Sequence, residues 1–357
     1  MGYEIRALSK SEIHSITRNQ DVSIAEAMMC LEASGLQIVL GVNDGNQLTG
    51  ICTDGDIRRA ILSGISLGEK IAVIMNSKPM VTRETVMKPV MEFLKSNIKH
   101  LPVVDENNLV QGVWVLDYLK QNVRRQERFV IMAGGRGTRL GQLTDNCPKP
   151  MLNVGGKPVL QHIITAAKNS GFHRFVISIN YLGGIIEEYF GDGFEQGIEV
   201  KYIREEEPLG TGGSLRSLQL EKNENIIVTN GDVISDVNYG KMLDSHVGAA
   251  RALTMAVREE SWTIPYGTVE IENEKISRYV EKPIVPFRVN AGIYAMNSTA
   301  FKYMPKPKRW DMPDLLHNLI ENSLEIGAYV IFEKWLDIGA PEDLKSAQTM
   351  SFGRTSD

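Results

Sequence analysis

The pattern of apolar and polar positions divides the chain into two regions. Before about residue 122, short apolar strands alternate with polar turns and amphipathic helices, whereas after Arg128 buried strands alternate with longer helices. The polar segment QNVRRQER, residues 121–128, separates the regions and could be the exposed end of a helix or a short linker. We therefore predict two domains, at residues 1–122 and 128–350.

The first region contains an internal duplication. Residues 38–61 and 100–119 share the order apolar strand, polar turn, apolar strand and helical pattern, with Gly50 aligned to Gly112. An amphipathic helix is predicted before each copy. Its apolar positions are Ile24, Met28 and Leu31 in the first copy and Val90, Phe93 and Leu94 in the second. Because one unit is too small to bury a core, we expect the copies, about 7–64 and 70–122, to pack together.

The second region repeats a strand–helix–strand order. RFVIMA is a short apolar strand, and a helix is predicted from Pro158 to Lys168, with Pro158 in its first turn and Gly171 as its stop. FVISIN is the next strand. This order predicts an α/β fold with a Rossmann-like, mostly parallel sheet and a ligand cleft at the carboxyl ends of its strands, preceded by a smaller α+β module.

Composition narrows the class of protein. A hydrophobic share of 43% and a charged share of 23% are typical of a globular protein, and no apolar run is long enough to span a bilayer. Three cysteines without metal-ligand spacing indicate a reducing compartment, and residues 1–10 lack the apolar core of a signal peptide. The net charge of −5 argues against nucleic acid. We expect a cytoplasmic protein without a nucleic-acid or membrane partner.

A glycine-rich segment follows the RFVIMA strand. Gly134, Gly135 and Gly137 lack Cβ atoms, so their backbone N–H groups can approach a phosphate chain closely. Arg139 and Lys149 add positive charge beside this loop. The spacing differs from that of a P-loop and of the dinucleotide-binding fingerprint. The segment therefore predicts a phosphate-binding loop of another kind.

These residues form part of an ordered set of motifs. G-G-x-G-T-R-L at residues 134–140 and P-K-P at 148–150 resemble the signature of sugar nucleotidyltransferases, also called sugar-nucleotide pyrophosphorylases, whose domain is GT-A-like. The further motifs E-P-L-G-T-G-G, N-G-D, E-K-P, N-A-G and W-L-D-I-G follow in the expected order. The resemblance covers about residues 128–350. It implies transfer of a nucleotidyl group from an NTP to a sugar 1-phosphate, with release of pyrophosphate.

The resemblance also implies a role for each matching residue. Nucleotide contacts are expected at Ala133, Gly134, Gly135, Gly137, Thr138, Glu205 and Gly210, and sugar-phosphate contacts at Glu281, Lys282, Asn290 and Gly292. Arg139 would neutralise the β- and γ-phosphates, and Lys149 would stabilise charge at the α-phosphate. Asp232 and Asp337 would hold Mg²⁺, which prefers oxygen ligands. Because the phosphate nucleophile is already ionised, the reaction needs no general base.

Taken singly, these residues have ordinary alternatives. Arg139 and Lys149 could be solvated surface charges, and Asp232 could be a turn residue after Asn-Gly. Asp337 could cap the helix predicted near Pro341. A protein of another class, a nucleotide sensor with a silent transferase domain, is the competing hypothesis. Retention of all four charged residues argues against it.

The loop REEEPLGTGGS bears on the choice of base. Guanine presents adjacent N1–H and N2–H₂ donors that one carboxylate can accept together, and the loop is similar to that of mannose- and heptose-1-phosphate guanylyltransferases. GTP is therefore the expected nucleotide; the alternative is that the three glutamates form a solvated turn and only one of them touches anything. The domain order is similar to a bacterial group assigned to GDP-glucosamine formation for legionaminic acid synthesis. It implies glucosamine 1-phosphate as acceptor, with mannose 1-phosphate as the main alternative.

The first copy of the duplication ends in G-I-C-T-D-G-D-I-R, which matches the G-x-x-T-x-x-D ending of CBS domains. The resemblance to a tandem CBS pair implies that Thr53 and Asp56 hold an adenine nucleotide, and that the protein forms a homo-oligomer. The second copy has Val115 and Tyr118 at these positions. Alternatively, Thr53 and Asp56 only cap the helix beginning near Asp54.

Overall fold

A computed structural model describes residues 3–83, 98–118, 124–306 and 308–349. The chain divides into two compact units, residues 1–123 and 124–357. The helix predicted around Val90, Phe93 and Leu94 lies outside the described residues. No helix in the described ranges is both long enough and apolar enough to cross a membrane.

The first unit contains two three-stranded sheets, ordered β2-β3-β4 and β1-β6-β5. Its strands are β1 (Tyr3–Ala7), β2 (Thr17–Asn19), β3 (Ile38–Val42), β4 (Leu48–Thr53), β5 (His100–Val104) and β6 (Val110–Tyr118). Its helices are α1 (Lys10–Ile16), α2 (Ile24–Ser34) and α3 (Asp54–Leu62), with a 3₁₀ turn at Ile71–Val73.

The backbone repeats as the sequence does. Gly41 pairs with Gly50, and Val103 pairs with Gly112 at the equivalent register; a bulge follows each pair. The two polar turns meet where the Leu48 N–H donates to the Asn108 carbonyl at 2.9 Å. One apolar cluster takes residues from both copies, including Ile38, Leu40, Leu48, Val104 and Val113. The expected packing of the copies is confirmed.

The copies differ after their last strand. In the first copy, the Asp56 carboxylate accepts the Thr53 N–H at 2.8 Å and the Thr53 hydroxyl at 2.6 Å, and α3 begins at once. The capping interpretation is therefore confirmed. In the second copy, β6 continues to Tyr118, which pairs with Tyr3 of β1. The helical pattern predicted there is wrong as far as Tyr118, because Val115 offers no polar cap and a partner strand is available.

The second unit contains the main sheet. Its strands are β7 (Arg125–Met132), β8 (Asn153–Val154), β9 (Lys157–Pro158), β10 (Phe172–Ile179), β11 (Glu199–Arg204), β12 (Asn225–Asn230), β13 (Val233–Ser235), β14 (Leu253–Thr263), β15 (Thr268–Glu272), β16 (Lys275–Val280), β17 (Ile284–Asn297), β18 (Ile326–Ile331) and β19 (Trp335–Asp337). Its helices are α4 (Val159–Asn169), α5 (Gly183–Phe190), α6 (Tyr239–Gly248), α7 (Met312–Glu321) and α8 (Pro341–Thr349). Short 3₁₀ segments lie at Thr138–Thr144, Lys149–Met151, Phe194–Gln196, Gly213–Ser217 and Ala300–Tyr303.

The main sheet has the order β11-β10-β7-β12-β17-β14-β18. Only β17 runs antiparallel to its neighbours in this seven-stranded sheet, so the predicted mostly parallel fold is confirmed. Both faces are covered, as parallel sheets require. Phe129 and Ile131 of β7 pack in the cluster that holds α4, α5 and α6, whereas Val130 faces the cluster that holds α7.

The segment between the regions differs from prediction. From Arg125 onward it is neither a helix end nor a linker, because β7 begins there and pairs with β10. Arg125 forms an ion pair with Asp244 at 2.9 Å, and Arg128 forms one with Glu224 at 2.7 Å. These pairs join the polar start of the strand to its own domain.

The buried histidine of α6 should make stability depend on pH. His246 is 1% exposed and contacts the Thr254 hydroxyl at 2.9 Å. Burial, with a smaller effect of the Arg251 charge, lowers the pKa of His246 to about 4. In the unfolded chain the pKa of a histidine is about 6.5, so between pH 4 and pH 6.5 the unfolded state binds more protons than the folded state. Stability from this group is present above pH 6.5 and is lost as pH falls towards 4, by about 2 kcal/mol between pH 7 and pH 5.

Urea unfolding of the wild type and the His246→Gln variant across this range checks the prediction. The variant should lose this part of the pH dependence even if it is less stable overall. The same substitution at exposed His317 controls for the loss of a histidine elsewhere. Equal pH slopes for the wild type and His246→Gln would contradict the assignment.

Candidate active site

The glycine-rich loop follows β7 at the carboxyl edge of the main sheet. Gly137 has φ +65°, and a Cβ there would lie 3.0 Å from the Thr144 methyl and 3.1 Å from the Lys149 Cβ. Glycine is therefore required both for the backbone conformation and for the close approach. At Gly135, by contrast, a Cβ would meet nothing within 4 Å. The Cβ side of Gly135 is therefore open.

Lys149 is held inside the site. It is only 7% exposed, and its Nζ donates to Asp232 Oδ2 at 2.5 Å and lies 4.0 Å from Asp337 Oδ1. A buried ammonium needs a partner of opposite charge, which Asp232 supplies. The alternative that Lys149 is a solvated surface charge is wrong.

Asp232 and Asp337 are brought together by a short ladder. Val233 of β13 pairs with Asp337 of β19, and the Ile338 N–H donates to the Asp232 carbonyl at 3.0 Å. Burial and, second, the Asp232 charge raise the pKa of the Asp337 carboxyl, while Lys149 and Arg139 act in the opposite direction. The two neighbouring carboxylates thus both lie near the Lys149 ammonium.

The helix cap near Pro341 is made by a different residue. The Asp343 carboxylate accepts the N–H groups of Gly339 at 3.0 Å and Ala340 at 2.6 Å. Asp337 takes no part in this cap, so the capping alternative for Asp337 is wrong. Asp343, within α8 itself, caps the start of this helix, so the Asp337 side chain is not needed for the cap.

The two carboxylates fit a divalent cation. Oδ1 of Asp232 and Oδ1 of Asp337 are both buried, and neither finds a hydrogen-bond partner among the described residues. Mg²⁺ is bound in many phosphate-transfer sites by one or two carboxylates together with substrate phosphates. Within the described ranges no group of three or more His, Cys, Asp or Glu side chains gathers as a self-sufficient metal cage. The donor set therefore suits a cation held jointly with a substrate.

Arg139 lies near Asp337 and the residues that follow it. A Cβ built on Gly339 would lie 3.4 Å from the Arg139 guanidinium. The Arg139 charge partly opposes the rise in the pKa of the Asp337 carboxyl. Arg139 is exposed, unlike Lys149. The structure therefore brings Arg139, Lys149, Asp232 and Asp337 together, with one buried cation and one accessible cation.

The glycines of the E-P-L-G-T-G-G motif pack against a segment that the motif did not reveal. A Cβ on Gly210 would lie 2.4 Å from the Trp310 carbonyl, and a Cβ on Gly212 would lie 2.1 Å from the Trp310 ring. The Thr211 N–H donates to Asp311 at 2.7 Å. Trp310 and Asp311 lie about a hundred positions further along the chain, and no local signal marked them. These glycines therefore have a packing role in this loop.

The first glutamate of the same loop is fixed, whereas the other two are exposed. The Glu205 carboxylate accepts the Ser178 hydroxyl at 2.5 Å and the Leu209 N–H at 3.0 Å. Glu206 and Glu207 are exposed. This matches the alternative of a solvated turn in which one of the three glutamates makes close contacts; exposed Glu207 also lies 3.8 Å from the Lys308 ammonium. Ser178 was missed because a serine within an apolar strand carries no motif.

The predicted sugar-phosphate residues fall into two places. Gly292, with φ +71°, lies against Asn230 at the end of β12. A Cβ on Gly292 would be 2.8 Å from the Asn230 amide nitrogen. The Asn290 side chain accepts the Gly292 N–H at 2.9 Å. Glu281 and Lys282 are exposed near the outer end of β17. Among the described residues, no hydrogen bond or ion pair joins either of them to Lys149 or Asp232.

Substitution of a packed glycine should destabilise the protein more than substitution of an open one. Gly212→Ala forces a methyl group into the Trp310 ring and is expected to cost about 1–3 kcal/mol of unfolding free energy. Gly184→Ala is the matched control: it lies in α5 with nothing within 4 Å and should stabilise by about 0.5 kcal/mol. Denaturant unfolding measures both changes. Equal stability of the two variants would show that the Trp310 contact is not a constraint.

Comparison with known proteins agrees with this geometry. The family model described as nucleotidyl transferase matches residues 128–351, and the CBS domain model matches residues 70–120. The mannose-1-phosphate guanylyltransferase of Mycobacterium tuberculosis is 31% identical over 223 residues, covering 60% of this chain and 61% of that protein. The D-glycero-alpha-D-manno-heptose 1-phosphate guanylyltransferase of Aneurinibacillus thermoaerophilus is 30% identical over 222 residues, covering 61% and 96%.

The solved structures include a similar domain. The crystal structure of HddC from Yersinia pseudotuberculosis superimposes with a TM-score of 0.50 at 28% identity, covering 62% of this chain and 98% of that one. The chain therefore spans nearly the whole of some relatives and less than two thirds of the mycobacterial enzyme. Because the family model covers more than half of the chain and includes every residue of the charged cluster, this protein belongs to the nucleotidyl transferase family.

Proposed function

We propose that the protein transfers GMP from GTP to a sugar 1-phosphate, giving a GDP-sugar and pyrophosphate. The observation that carries this proposal is the cluster in which buried Lys149 contacts Asp232 and lies beside Asp337, next to a glycine-rich loop with an open face. Such a cluster supplies both signs of charge where two phosphate groups must meet.

The barrier to this reaction arises from repulsion and alignment. An anionic sugar phosphate must attack the α-phosphorus of an anionic nucleotide, so positioning and positive charge are the main requirements. Lys149 would stabilise the charge that develops at the α-phosphate, in a half-buried site where such an interaction is stronger than in water. Arg139, which is exposed, would neutralise the β- and γ-phosphates that leave.

Asp232 and Asp337 would hold Mg²⁺ through the buried carboxylate oxygens that accept no hydrogen bond from the described residues. The cation, when bound, would neutralise phosphate charge and help to hold the triphosphate in place. The residues of the chain have their own tasks. Asp232 keeps the Lys149 ammonium inside the site, and Gly137 lets the glycine-rich loop pack against Lys149.

GTP is proposed because of Glu205. Its fixed carboxylate lies on the loop that the resemblance assigns to the base, and a carboxylate can accept the adjacent N1–H and N2–H₂ groups of guanine. Two of the similar proteins described above are guanylyltransferases, which supports the same nucleotide.

Glucosamine 1-phosphate is proposed as the acceptor, in a pathway towards legionaminic acid, from the resemblance in domain order. Mannose 1-phosphate and a heptose 1-phosphate are the alternatives that the named relatives favour. Asn290 and Gly292, next to Asn230, would contact the sugar. Glu281 and Lys282 lie between β16 and β17. They would contact the sugar and its phosphate when this connection and the two-stranded β15–β16 sheet lie over the cleft.

For the front unit, an adenine nucleotide at Thr53 and Asp56 remains a proposal, as does a homo-oligomer. Asp56 already accepts hydrogen bonds from Thr53 and Arg59, so a ligand would have to share that carboxylate. A cleft of about 180 Å³ lined by Asp56, Arg59 and Ile65, among others, lies beside this pair. Asp56 and Arg59 form an ion pair with each other at 2.5 Å there, so a ligand would have to compete with that pair.

A substrate screen tests the proposal directly. With Mg²⁺ and the full chain, pyrophosphate release should be fastest for GTP among the four NTPs and should require a sugar 1-phosphate. Glucosamine, mannose and heptose 1-phosphates are compared at equal concentration, with and without AMP, ADP or ATP added for the front unit. Turnover with another NTP at a rate equal to that with GTP would overturn the nucleotide assignment.

Replacement of the buried cation should remove catalysis and leave the fold. Lys149→Met keeps the length of the side chain without its charge, and the rate of GDP-sugar formation should fall by about 10²–10³. Lys201→Met, at an exposed position on β11, is the matched control and should retain the wild-type rate. Circular dichroism verifies the fold of both variants. A Lys149→Met enzyme with the wild-type kcat would exclude the proposed role.

A further inference from the structure

Ser178 is a polar residue in an apolar strand, and its hydroxyl has one hydrogen-bond partner among the described residues. It lies near the end of β10, is 0% exposed, and has Met132 and Ile203 as its strand neighbours. Its hydroxyl donates to Glu205 Oε1 at 2.5 Å. A hydroxyl in such a place loses its hydration on folding, so the Glu205 contact accounts for its presence.

The second oxygen of Glu205 is held as well. The Leu209 N–H donates to Oε2 at 3.0 Å, and the Glu205 carbonyl accepts the Asn180 amide at 2.7 Å. The carboxylate is therefore clamped through both oxygens, and its backbone is fixed too. A carboxylate has about four lone-pair directions, so each oxygen can still accept one further hydrogen bond.

The clamped carboxylate lies against the glycine-rich loop. A Cβ on Gly134 would be 3.1 Å from Glu205 Oε1, so glycine at this position is what lets the carboxylate approach. Glu205, on the loop proposed for the base, thus lies against the loop proposed for the phosphates. A rotation of its side chain would move the acceptor atoms relative to both.

We infer that Ser178 is a positioning residue that sets the selection of guanine by orienting Glu205. This inference rests on the proposed function. Held in place, the two oxygens of Glu205 present neighbouring acceptors to the N1–H and N2–H₂ donors of guanine. Hypoxanthine, the base of ITP, has the N1–H but no 2-amino group. Preference for GTP over ITP therefore measures whether the carboxylate is correctly oriented.

The test compares Ser178→Ala with the wild type, using GTP and ITP as substrates with the best sugar 1-phosphate of the screen. Loss of one hydrogen bond to a charged group should raise KM for GTP by about three- to tenfold and lower the GTP-to-ITP ratio of kcat/KM by a similar factor. The kcat for GTP should stay within about twofold, because Lys149 and Asp232 are untouched. Ser178→Cys, a weaker donor of similar size, should give an intermediate ratio.

Ser170→Ala is the matched control, because its hydroxyl donates to the Ala166 carbonyl near the end of α4 and to no other group in the described part of the chain. A double-mutant cycle adds the readout that a purely structural role would not give: in a Glu205→Ala background, Ser178→Ala should have no further effect on the GTP-to-ITP ratio. An equal effect in both backgrounds, or equal losses for GTP and ITP, would overturn the role of Ser178. A wild type without preference for GTP over other NTPs would instead overturn the proposed function.

Discussion

The burial of one ammonium group against one carboxylate organises this active site. Lys149 is almost inaccessible and contacts Asp232, so neither charge could be removed without leaving the other uncompensated. The rest of the site depends on this pair. The glycine at position 137 lets the loop pack on the Lys149 side chain, and the β13–β19 ladder sets Asp337 beside the same ammonium. The positively charged Lys149 side chain is thus held in place by the protein itself, without a substrate.

The same cluster holds buried carboxylate oxygens that accept no hydrogen bond from the described residues. Buried acceptors of this kind are costly to a fold unless a ligand satisfies them. The unsatisfied oxygens belong to Asp232 and Asp337, the two residues that would hold Mg²⁺ in the proposed reaction. Glu205 shows the opposite treatment, since each of its oxygens already accepts a hydrogen bond. The protein leaves acceptors unsatisfied where a cation would bind, and fixes them where a base would be recognised.

The fold brings these requirements together through its parallel strands. β7, β10 and β12 end at the same edge of the sheet, so the glycine-rich loop, Ser178 and the Asn230–Asp232 turn become neighbours although they are distant in the chain. The packing of Trp310 against Gly210 and Gly212 joins the loop after β11 to the start of α7. The candidate site therefore depends on contacts that span much of the domain.

The sequence by itself determined the α/β class, the two units, the duplication and the ordered motifs, because hydrophobic period and glycine spacing are local properties. It also indicated Arg139, Lys149, Asp232 and Asp337, which the tertiary structure brings together. Only the tertiary structure decided that Arg125 begins a strand, that β6 continues to Tyr118, and that Asp343 rather than Asp337 caps α8. Ser178 and Trp310 were likewise invisible in the sequence. In each case the deciding partner lies far along the chain, and a single residue's type does not specify which distant partner it will meet.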